Sequence, residues 1–363
     1  MALFVPPALV YLVLAQVAPA ETRVPTDLKP TSEVKAAFLK LLDRPRVPLD
    51  VRNEPPRTES KTGNVTERLS FASEKKADGT TERVPTLVVR PATAGDGGKR
   101  PAVIVLHGTG GSKDGMRSWL DALARRGMIG VAIDARYHGD RSGGAKGSAA
   151  YVAAITRAWK AGEDEPQEHP FYYDTCWDLW RTLDYLESRG DVDPERVGML
   201  GVSMGGIETW LAAAVDDRVR VAVPAISVQS FSWSLGHDAW QGRANTIKAA
   251  HEAAAKDLGE GRVNPRVCRA LWDKVIPGIL GPFDCPSMIR LFAGRPLLIL
   301  NGEKDLNCPL GGAEVAIASA RRAFKDAGAA GRLKVMIAPG VGHAVTDEQH
   351  EAALDWFDRW LKP

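Results

Sequence analysis

Short apolar runs alternate with longer amphipathic stretches from about residue 84 to the end of the chain. Each run has four or five residues, most of them apolar, as is typical of strands buried on both faces of a sheet. The runs are residues 86–89, 102–106, 129–133, 197–200, 219–223, 297–300 and 333–337. Amphipathic helices are predicted between several of them, including 171–187, and a further one over 348–361 closes the chain. The alternation predicts an α/β fold, with a mostly parallel central sheet covered by helices on both faces.

Residues 21 to about 76 are rich in proline and in charged residues. We predict that residues 21–83 form an extension that packs on the main domain, residues 84–363. One helix is expected inside the extension, over residues 31–42, because apolar residues recur there at helical spacing.

An insertion after the sixth strand, at about residues 227–295, is too long for a simple crossover between two strands. It contains Trp233, Trp240 and Trp272 and a run of helical character over residues 244–258. In open α/β sheets, ligands bind beyond the carboxyl ends of the strands, where such an insertion would lie. We expect a cap that walls the substrate site, with a subdomain of no functional role as the alternative.

Residues 1–20 carry no charged side chain and include an apolar run over residues 8–15. Ala18-Pro19-Ala20 has small residues at the spacing of a signal-peptidase site, so we predict a signal peptide cleaved after Ala20 and a secreted or periplasmic protein. The stretch is too short and too interrupted by proline for stable membrane insertion of the mature chain. Because no Lys or Arg lies near Met1, a misassigned start or an apolar N-terminal strand is the alternative.

Composition excludes some classes of partner. The 47 Lys and Arg residues nearly balance the 45 Asp and Glu residues, and no basic stripe is present, so no nucleic-acid partner is expected. The spacing of the four cysteines bears on metal binding and disulfides. They form no C-x-x-C pair, so a zinc site is not expected. In an exported protein, Cys268–Cys285 is the most plausible disulfide, and buried thiols are the alternative. Nothing in the sequence indicates an oligomeric state.

The pentapeptide Gly201-Val202-Ser203-Met204-Gly205 lies between the apolar run 197–200 and a predicted helix. A serine at such a tight strand-to-helix turn requires residues without side chains two positions before and after it. The strain of the turn lifts the hydroxyl to the edge of the sheet, so Ser203 is predicted to be a nucleophile. Short glycine-containing motifs also arise by chance, so the strength of the pentapeptide as evidence for a nucleophile depends on the residues that follow it in the chain.

A serine hydroxyl becomes nucleophilic when a base removes its proton and an acid orients that base. At a turn of this type the acid and the base follow the serine in chain order, each just after a later strand. Asp305 follows the run 297–300, and His343 follows the run 333–337. We predict Asp305 as the acid and His343 as the general base, with Glu303 as the alternative acid.

The oxyanion that forms on the substrate needs backbone N–H donors directed at it. The turn supplies the N–H of Met204, and the loop 107–111, His-Gly-Thr-Gly-Gly, follows another strand. Its glycines let the backbone approach the site closely, and we predict the N–H of Thr109 as the second donor. His107 is expected to brace this loop rather than to act in catalysis.

Two side chains are predicted to line the substrate pocket. Tyr137 belongs to the loop 134–141 after a further strand, although this loop is equally interpretable as a salt-bridged turn that organises the first loop. Trp233 lies in the insertion, where an aromatic ring either stacks on substrate or belongs to the core. The chemistry that these groups would perform requires no cofactor and no metal.

In this order, the motifs resemble those of the α/β-hydrolase superfamily. Within it the chain is similar to the dienelactone-hydrolase and acetyl-xylan-esterase-like branch, to which prolyl-oligopeptidase-type domains are related. It departs from true dienelactone hydrolases in having Ser203 where they have cysteine. The resemblance covers about residues 84–361 and is specific for fold and triad rather than for substrate. Its motifs are residues 105–108, 134–139, 201–205, 302–305 and 342–343.

The sequence therefore predicts a serine hydrolase of carboxylic esters, of carboxylesterase or acetyl-esterase type, that forms an acyl-enzyme on Ser203. Its substrate would be a small-molecule or carbohydrate ester. One alternative is a serine peptidase of prolyl-oligopeptidase type, although residues 21–76 are too few for the propeller that restricts access in those enzymes. The other is a non-catalytic binding protein of the same fold. Such proteins lose members of the triad, and none is missing here.

Overall fold

The structure is a computed structural model that describes residues 28–59, 63–92 and 98–362. The signal peptide predicted for residues 1–20, with its cleavage site after Ala20, lies outside the described residues. Within them, no helix combines the length and the apolar character needed to cross a bilayer.

One mixed sheet runs through the described residues. Its strands are β1 Arg52–Asn53, β2 Arg57–Thr58, β3 Val65–Lys75, β4 Thr81–Arg90, β5 Arg100–Leu106, β6 Ile129–Ile133, β7 Val192–Val202, β8 Val219–Ala225, β9 Leu297–Gly302 and β10 Leu333–Ala338. They are ordered β1-β3-β4-β6-β5-β7-β8-β9-β10, and β2 also pairs with β3. Pairs up to β4–β6 are antiparallel, and every later pair is parallel. The mostly parallel sheet is confirmed, and each of the seven predicted runs lies in one of β4 to β10.

Strand β5 determines where a ligand can bind. It lies between β6 and β7, so the chain order reverses around it. At such a reversal the loops beyond the carboxyl ends of the strands diverge and leave a crevice. The loop after β5 and the turn after β7 therefore border the same crevice.

Helices cover both faces of the sheet. The α-helices among the described residues are α1 Thr31–Leu41, α2 Arg117–Arg125, α3 Ala149–Lys160, α4 Tyr173–Ser188, α5 Met204–Val215, α6 Phe231–Gly236, α7 Gln241–Asn245, α8 Lys248–Asp257, α9 Pro265–Val275, α10 Cys285–Met288, α11 Leu310–Asp326 and α12 Asp347–Leu361. Side chains of β5 alternate between two apolar layers, because Ile104 packs in a layer with α4 and α5, and Val105 in a layer with α2 and α12. The predicted coverage of both faces is confirmed.

The N-terminal region contributes to the same sheet. The predicted helix over residues 31–42 is α1, whose buried Phe38 contacts the Tyr173 ring edge-on at 5.3 Å between centroids. Strand β3, which the sequence did not reveal, pairs along its length with β4. The predicted start of the main domain at residue 84 lies within β4. The division into residues 21–83 and 84–363 stays a prediction.

The insertion at residues 227–295 contains α6 to α10. It follows β8, which is the sixth strand when the two-residue strands β1 and β2 are left out. The run of helical character predicted over 244–258 is helical over most of its length, in the end of α7 and all of α8, which are separated at Thr246 and Ile247. Ile247 has φ −133°, outside the helical region, and two adjacent β-branched residues weaken a helix.

The four cysteines are buried and free. Of the two alternatives for Cys268 and Cys285, buried thiols therefore describe this structure. Burial raises the pKa of Cys268 to about 12, so this thiol is protonated at neutral pH.

A buried ionic network ties α4 to the N-terminal strands. The carboxylate of Asp178 accepts hydrogen bonds from Arg136 Nε (2.7 Å) and Arg141 Nη1 (2.8 Å). The two guanidinium groups also donate to Glu74 in β3 and Glu82 in β4, at 2.6 Å each. Burial alone would raise the pKa of Asp178, but Arg136 and Arg141 lower it well below its ordinary value. Asp178 is therefore ionised in the folded protein.

We expect Asp178→Ala to lower the free energy of unfolding by about 3–5 kcal/mol, because it leaves two buried guanidinium groups without their shared partner. In the wild type, the stabilisation from Asp178 should be present above about pH 4 and be lost as the pH falls through the depressed folded pKa. Urea unfolding at several pH values measures both effects. Asp326→Ala is the control, because its ion pair with Arg322 is exposed. Equal losses in the two variants would contradict a role for the buried network.

Candidate active site

Ser203 forms the turn between β7 and α5 and has φ +56° and ψ −112°. A side chain at either neighbouring glycine of the motif would collide with backbone or core. A Cβ at Gly201 would lie 2.0 Å from the Gly205 carbonyl oxygen, and one at Gly205 would lie 2.5 Å from Leu106 Cβ. The glycines of the pentapeptide are thus required by the close approach of the chain to itself.

Replacing Gly205 with alanine is expected to lower the free energy of unfolding by about 1–3 kcal/mol, the usual cost of an overpacked core. Ester hydrolysis should fall as well, because relief of the collision moves Ser203. Chemical denaturation and initial rates measure the two effects. Gly236→Ala is the matched control, since its Cβ would meet nothing within 4 Å. A Gly205→Ala enzyme as stable and active as Gly236→Ala would contradict the steric argument.

The structure brings Ser203, His343 and Asp305 into one hydrogen-bonded chain. His343 Nε2 lies 2.7 Å from Ser203 Oγ, and His343 Nδ1 lies 2.7 Å from Asp305 Oδ2. The other carboxylate oxygen of Asp305 accepts from the backbone N–H groups of Asn307 (2.8 Å) and Cys308 (3.0 Å). Asp305 is buried, whereas the His343 side chain is 27% exposed. The acid is held inside the protein, and the histidine opens to solvent.

Two loops carry the acid and the base, and they meet because β9 and β10 are parallel neighbours. A Cβ at Gly302 would lie 2.2 Å from the Gly342 carbonyl oxygen, so the loops touch through their backbones. Glu303, the alternative acid, is exposed and accepts from the Gly340 N–H at 2.6 Å. The structure therefore places Asp305 beside His343, and Glu303 braces the loop 339–343 that carries the histidine.

The two predicted oxyanion donors belong to segments that adjoin Ser203, one in sequence and one in space. Met204 is the first residue of α5, and the first amides of a helix have no acceptor within it. Thr109 lies in a turn closed by a bond from Gly111 N–H to the Gly108 oxygen at 3.0 Å. A Cβ at Gly108 would lie 3.4 Å from Ser203 Cβ, so the Thr109 turn packs directly against the serine.

His107 connects this turn to the loop after β6. Its Nδ1 lies 2.8 Å from the Gly108 oxygen, and its Nε2 accepts from Ala135 N–H at 3.2 Å. These contacts describe a neutral ring with the proton on Nδ1, and burial lowers the pKa of His107 accordingly. The geometry fits the bracing role predicted for His107.

A buried ion pair fixes the same two loops. Asp134 accepts from Lys113 Nζ and from Lys113 N–H, each at 2.8 Å, and both residues are buried. A Cβ at Gly139 would collide with the Asp134 carboxylate at 2.2 Å. The contacts favour the interpretation of residues 134–141 as a salt-bridged turn that organises the first loop. Lys113 was missed by sequence reasoning, because nothing local marks a lysine whose partner lies 21 residues away.

Tyr137 is held by charged neighbours. Its hydroxyl donates to Glu168 at 2.6 Å, and Lys76 and Arg157 lie over its ring at 5.9 and 5.6 Å from the centroid. Burial and Glu168 raise the pKa of Tyr137 to about 12. Among the described residues, no hydrogen bond or ring contact joins Tyr137 to the triad, and its substrate-binding role stays a prediction.

Trp233 packs at the start of α11. A Cβ at Gly311 would lie 2.3 Å from Trp233 Cζ2, and the indole stacks on His237 at 4.2 Å between centroids. Within the described part of the chain, no hydrogen bond or ring contact connects it to Ser203 or His343. The stacking wall proposed for Trp233 therefore stays a prediction too.

Asp305, Cys308 and His343 offer potential metal-ligand atoms within 4.8 Å of one another. Burial raises the pKa of Cys308 to about 12, and its Sγ–H donates to the Ile226 oxygen at 3.2 Å. A protonated thiol is a poor ligand, and Asp305 and His343 are already bonded to each other. The donor set fits a hydrogen-bonded loop better than a metal site.

The family model described as acetyl xylan esterase (AXE1) matches residues 41–231, more than half of the chain. The chain belongs to the acetyl xylan esterase family. The matched segment includes Thr109 and Ser203, begins inside the predicted extension, and ends at the first residue of α6. Membership makes this chain a hydrolase of carboxylic esters in the α/β-hydrolase superfamily. The predicted resemblance, fold class and class of enzyme are confirmed.

Other proteins are similar to this esterase in sequence or in fold. YtaP of Bacillus subtilis (strain 168) is 27% identical over 341 residues, which cover 90% of this chain and 98% of YtaP. Acetyl xylan esterase 1 from Thermoanaerobacterium sp. JW/SL YS485 superposes with a TM-score of 0.65 at 18% identity, covering 93% of this chain and 96% of that one. A glucuronoyl esterase from Solibacter usitatus superposes with a TM-score of 0.61 at 17% identity, covering 91% of each chain. At these identities the structural likeness establishes the fold.

Proposed function

We propose that this esterase removes acetyl groups from a xylan-type polysaccharide or its fragments, through an acyl-enzyme on Ser203. The observation that carries the proposal is the hydrogen-bonded chain from Ser203 Oγ through His343 to Asp305. Family membership supports an ester as the substrate and favours acetyl as its acyl group.

The geometry supports a two-step mechanism. Because Nδ1 of His343 donates to Asp305, Nε2 is free to take the proton from the hydroxyl of Ser203. Ser203 Oγ then attacks the acetyl carbonyl carbon, and the N–H groups of Met204 and Thr109 hold the oxyanion. The bond between the acetyl carbon and the sugar oxygen then breaks, and protonated Nε2 gives its proton to that oxygen, so the sugar leaves with a free hydroxyl.

The second step repeats the first with water. His343 Nε2 removes a proton from a water molecule, whose oxygen attacks the acetyl carbon of the acyl-enzyme. The Ser203–acyl bond breaks, acetate leaves, and Nε2 returns the proton to Ser203 Oγ. Asp305 stabilises the imidazolium in both steps without taking its proton.

A substrate panel tests the acyl group and the alcohol. We expect acetate release from acetylated xylo-oligosaccharides and from p-nitrophenyl acetate, with lower kcat/KM for butyrate and longer acyl esters. The panel should include a methyl ester of glucuronic acid and prolyl peptides, with the Ser203→Ala protein as background. Turnover of the uronate ester or of peptides without acetate release would overturn the proposal.

The peptidase alternative lacks structural support in the N-terminal region. Strands β1 to β3 and α1 pack into the central sheet and its core, so residues 28–59 and 63–83 do not build a separate unit that restricts access. The binding-protein alternative is likewise less consistent with the bonds among Ser203, His343 and Asp305.

We also propose that the protein is exported, on the basis of the apolar run 8–15 and the small residues before Glu21. Expression of the full chain in a bacterium, followed by fractionation and N-terminal mass spectrometry, tests this. We expect periplasmic or secreted protein that begins at Glu21, and an Ala18→Arg variant that keeps its leader. Full-length wild-type protein in the cytosol would overturn the proposal.

A further inference from the structure

The insertion touches the loop that carries the acid. We call residues 303–308 the acid loop. A Cβ at Gly242 of α7 would lie 2.1 Å from the Leu306 carbonyl oxygen, so the helix backbone packs directly on this loop. The next residue, Arg243, donates from Nη2 to the Asn307 carbonyl oxygen at 3.0 Å and lies 3.4 Å from Cys308 Sγ. Two adjacent residues of the insertion therefore hold three consecutive residues of the acid loop.

These contacts act on the groups that orient the acid. The Asp305 oxygen that faces away from His343 is held by the N–H groups of Asn307 and Cys308. Arg243 binds the same two residues from the other side, through the Asn307 carbonyl and the Cys308 sulfur. Any shift of Arg243 would therefore move the donors that aim the Asp305 carboxylate.

Arg243 is an unusual residue for a purely structural contact. It is 1% exposed, its guanidinium lies over the Phe231 ring at 5.8 Å from the centroid, and within the described residues it forms no ion pair. Burial works against its charge, whereas Tyr172, Cys308 and Asp305 raise the pKa of Arg243. A buried cation is costly unless a nearby anion compensates it. Asp305 is a carboxylate among the groups that raise the pKa of Arg243.

We propose that Arg243 is a positioning residue for Asp305, and that the insertion thereby completes the catalytic site from outside the sheet. Arg243 fixes the acid loop so that the Asp305 carboxylate meets His343 Nδ1. The inference rests on the proposed roles of Ser203, His343 and Asp305. The insertion then does more than wall the substrate site, because it supplies a side chain on which the geometry of the triad depends.

Kinetics of Arg243→Met and Arg243→Lys test the proposal, with Arg295→Met as the matched control. Arg295 is another arginine, partly buried, that donates to backbone carbonyls, those of Ala213 (2.9 Å) and Val219 (2.8 Å), and it lies over Phe292. These carbonyls belong to the end of α5 and the start of β8, at the end of the strands that lies away from Ser203. Arg295→Met should therefore lose stability without losing alignment of the acid.

For p-nitrophenyl acetate, we expect Arg243→Met to lower kcat by roughly 10- to 100-fold, as loss of an orienting partner does, with KM changed less than about threefold. The kcat of Arg243→Lys should lie between those of this variant and the wild type. Lysine keeps the positive charge but lacks the planar guanidinium that reaches both the Asn307 carbonyl and the Cys308 sulfur. Arg295→Met should keep kcat within about threefold. Equal kcat in Arg243→Met and Arg295→Met would overturn the proposal.

A double-mutant comparison separates positioning from general destabilisation. In an Asp305→Asn background, Arg243→Met should lower kcat by less than about twofold, because its effect acts through the missing carboxylate. The same factor in both backgrounds would overturn the positioning role. Gly242→Ala gives a test that keeps the guanidinium and does not depend on the folding of Arg243→Met. Its Cβ displaces the Leu306 carbonyl, and kcat should fall with little change in KM.

Labelling of the wild type by a fluorophosphonate probe distinguishes this proposal from the one on which it rests. If labelling and turnover require Ser203 but the Arg243 and Gly242 variants keep full kcat, the positioning role alone is wrong. If the wild type shows neither Ser203-dependent labelling nor turnover, the proposed function itself fails. Labelling together with a selective loss of kcat in the Arg243 and Gly242 variants supports both.

Discussion

Replacing Ser203 with alanine is expected to lower kcat for p-nitrophenyl acetate by roughly 10⁴- to 10⁶-fold, because the acyl-enzyme can no longer form. The residual rate would come from the oxyanion donors and from substrate binding. Folding should be preserved, since the hydroxyl that is removed is bonded only to His343 among the described residues. Initial rates, circular dichroism and fluorophosphonate labelling measure the three expectations.

Ser188→Ala is the matched control for this variant. Ser188 lies at the exposed end of α4, and its hydroxyl donates to the Tyr185 carbonyl at 2.7 Å rather than to a histidine. It should keep full turnover and full labelling. A Ser203→Ala protein that retained more than about a tenth of the wild-type kcat would contradict the acyl-enzyme mechanism.

Much of the fold could be predicted because its signals are local. A parallel strand buried on both faces is apolar at most positions, so β5 to β9 appear as continuous runs. The order of Ser203, Asp305 and His343 also follows from the strands, since each residue comes just after one of them. The hydrogen bonds among the three could not be read from spacing, because they depend on the contact between the loops at Gly302 and Gly342.

Other features depend on partners far away in the chain. Strand β3 mixes polar and apolar residues because it lies towards the sheet edge, so its composition does not predict a strand. Its pairing with β4 makes it one. Arg243 resembles any surface arginine in the sequence. It becomes notable only when folding buries it against Asn307 and Cys308, 64 and 65 residues away.

The aromatic residues show where residue type is ambiguous. Trp240 and Trp272 are buried in the insertion, whereas Trp233 is partly exposed on α6. The sequence presents all three as aromatic residues of one segment. Only burial separates the two that build the core of the insertion from the one that is partly exposed, and burial depends on how α6 to α9 pack.

Asp305→Asn is expected to lower kcat by roughly 10⁴-fold, and the reason lies in the hydrogen bonds around the carboxylate. The N–H groups of Asn307 and Cys308 fix an acceptor at the Oδ1 position, so the asparagine oxygen must stay there. Its NH₂ group then faces His343 Nδ1, which must become an acceptor. The imidazole proton moves to Nε2, which can no longer take the proton of Ser203. Steady-state kinetics on p-nitrophenyl acetate measures the loss.

Glu303→Gln is the control that separates the two acids considered from the sequence. Glu303 accepts from the Gly340 N–H, and a glutamine oxygen can accept the same bond, so kcat should stay within about threefold of the wild type. A large loss in Glu303→Gln beside a small one in Asp305→Asn would reverse the assignment. Because both residues lie in the acid loop, general damage to that loop would lower kcat in both variants alike. A change in the tautomer of His343 would lower kcat only in Asp305→Asn, because only residue 305 faces His343.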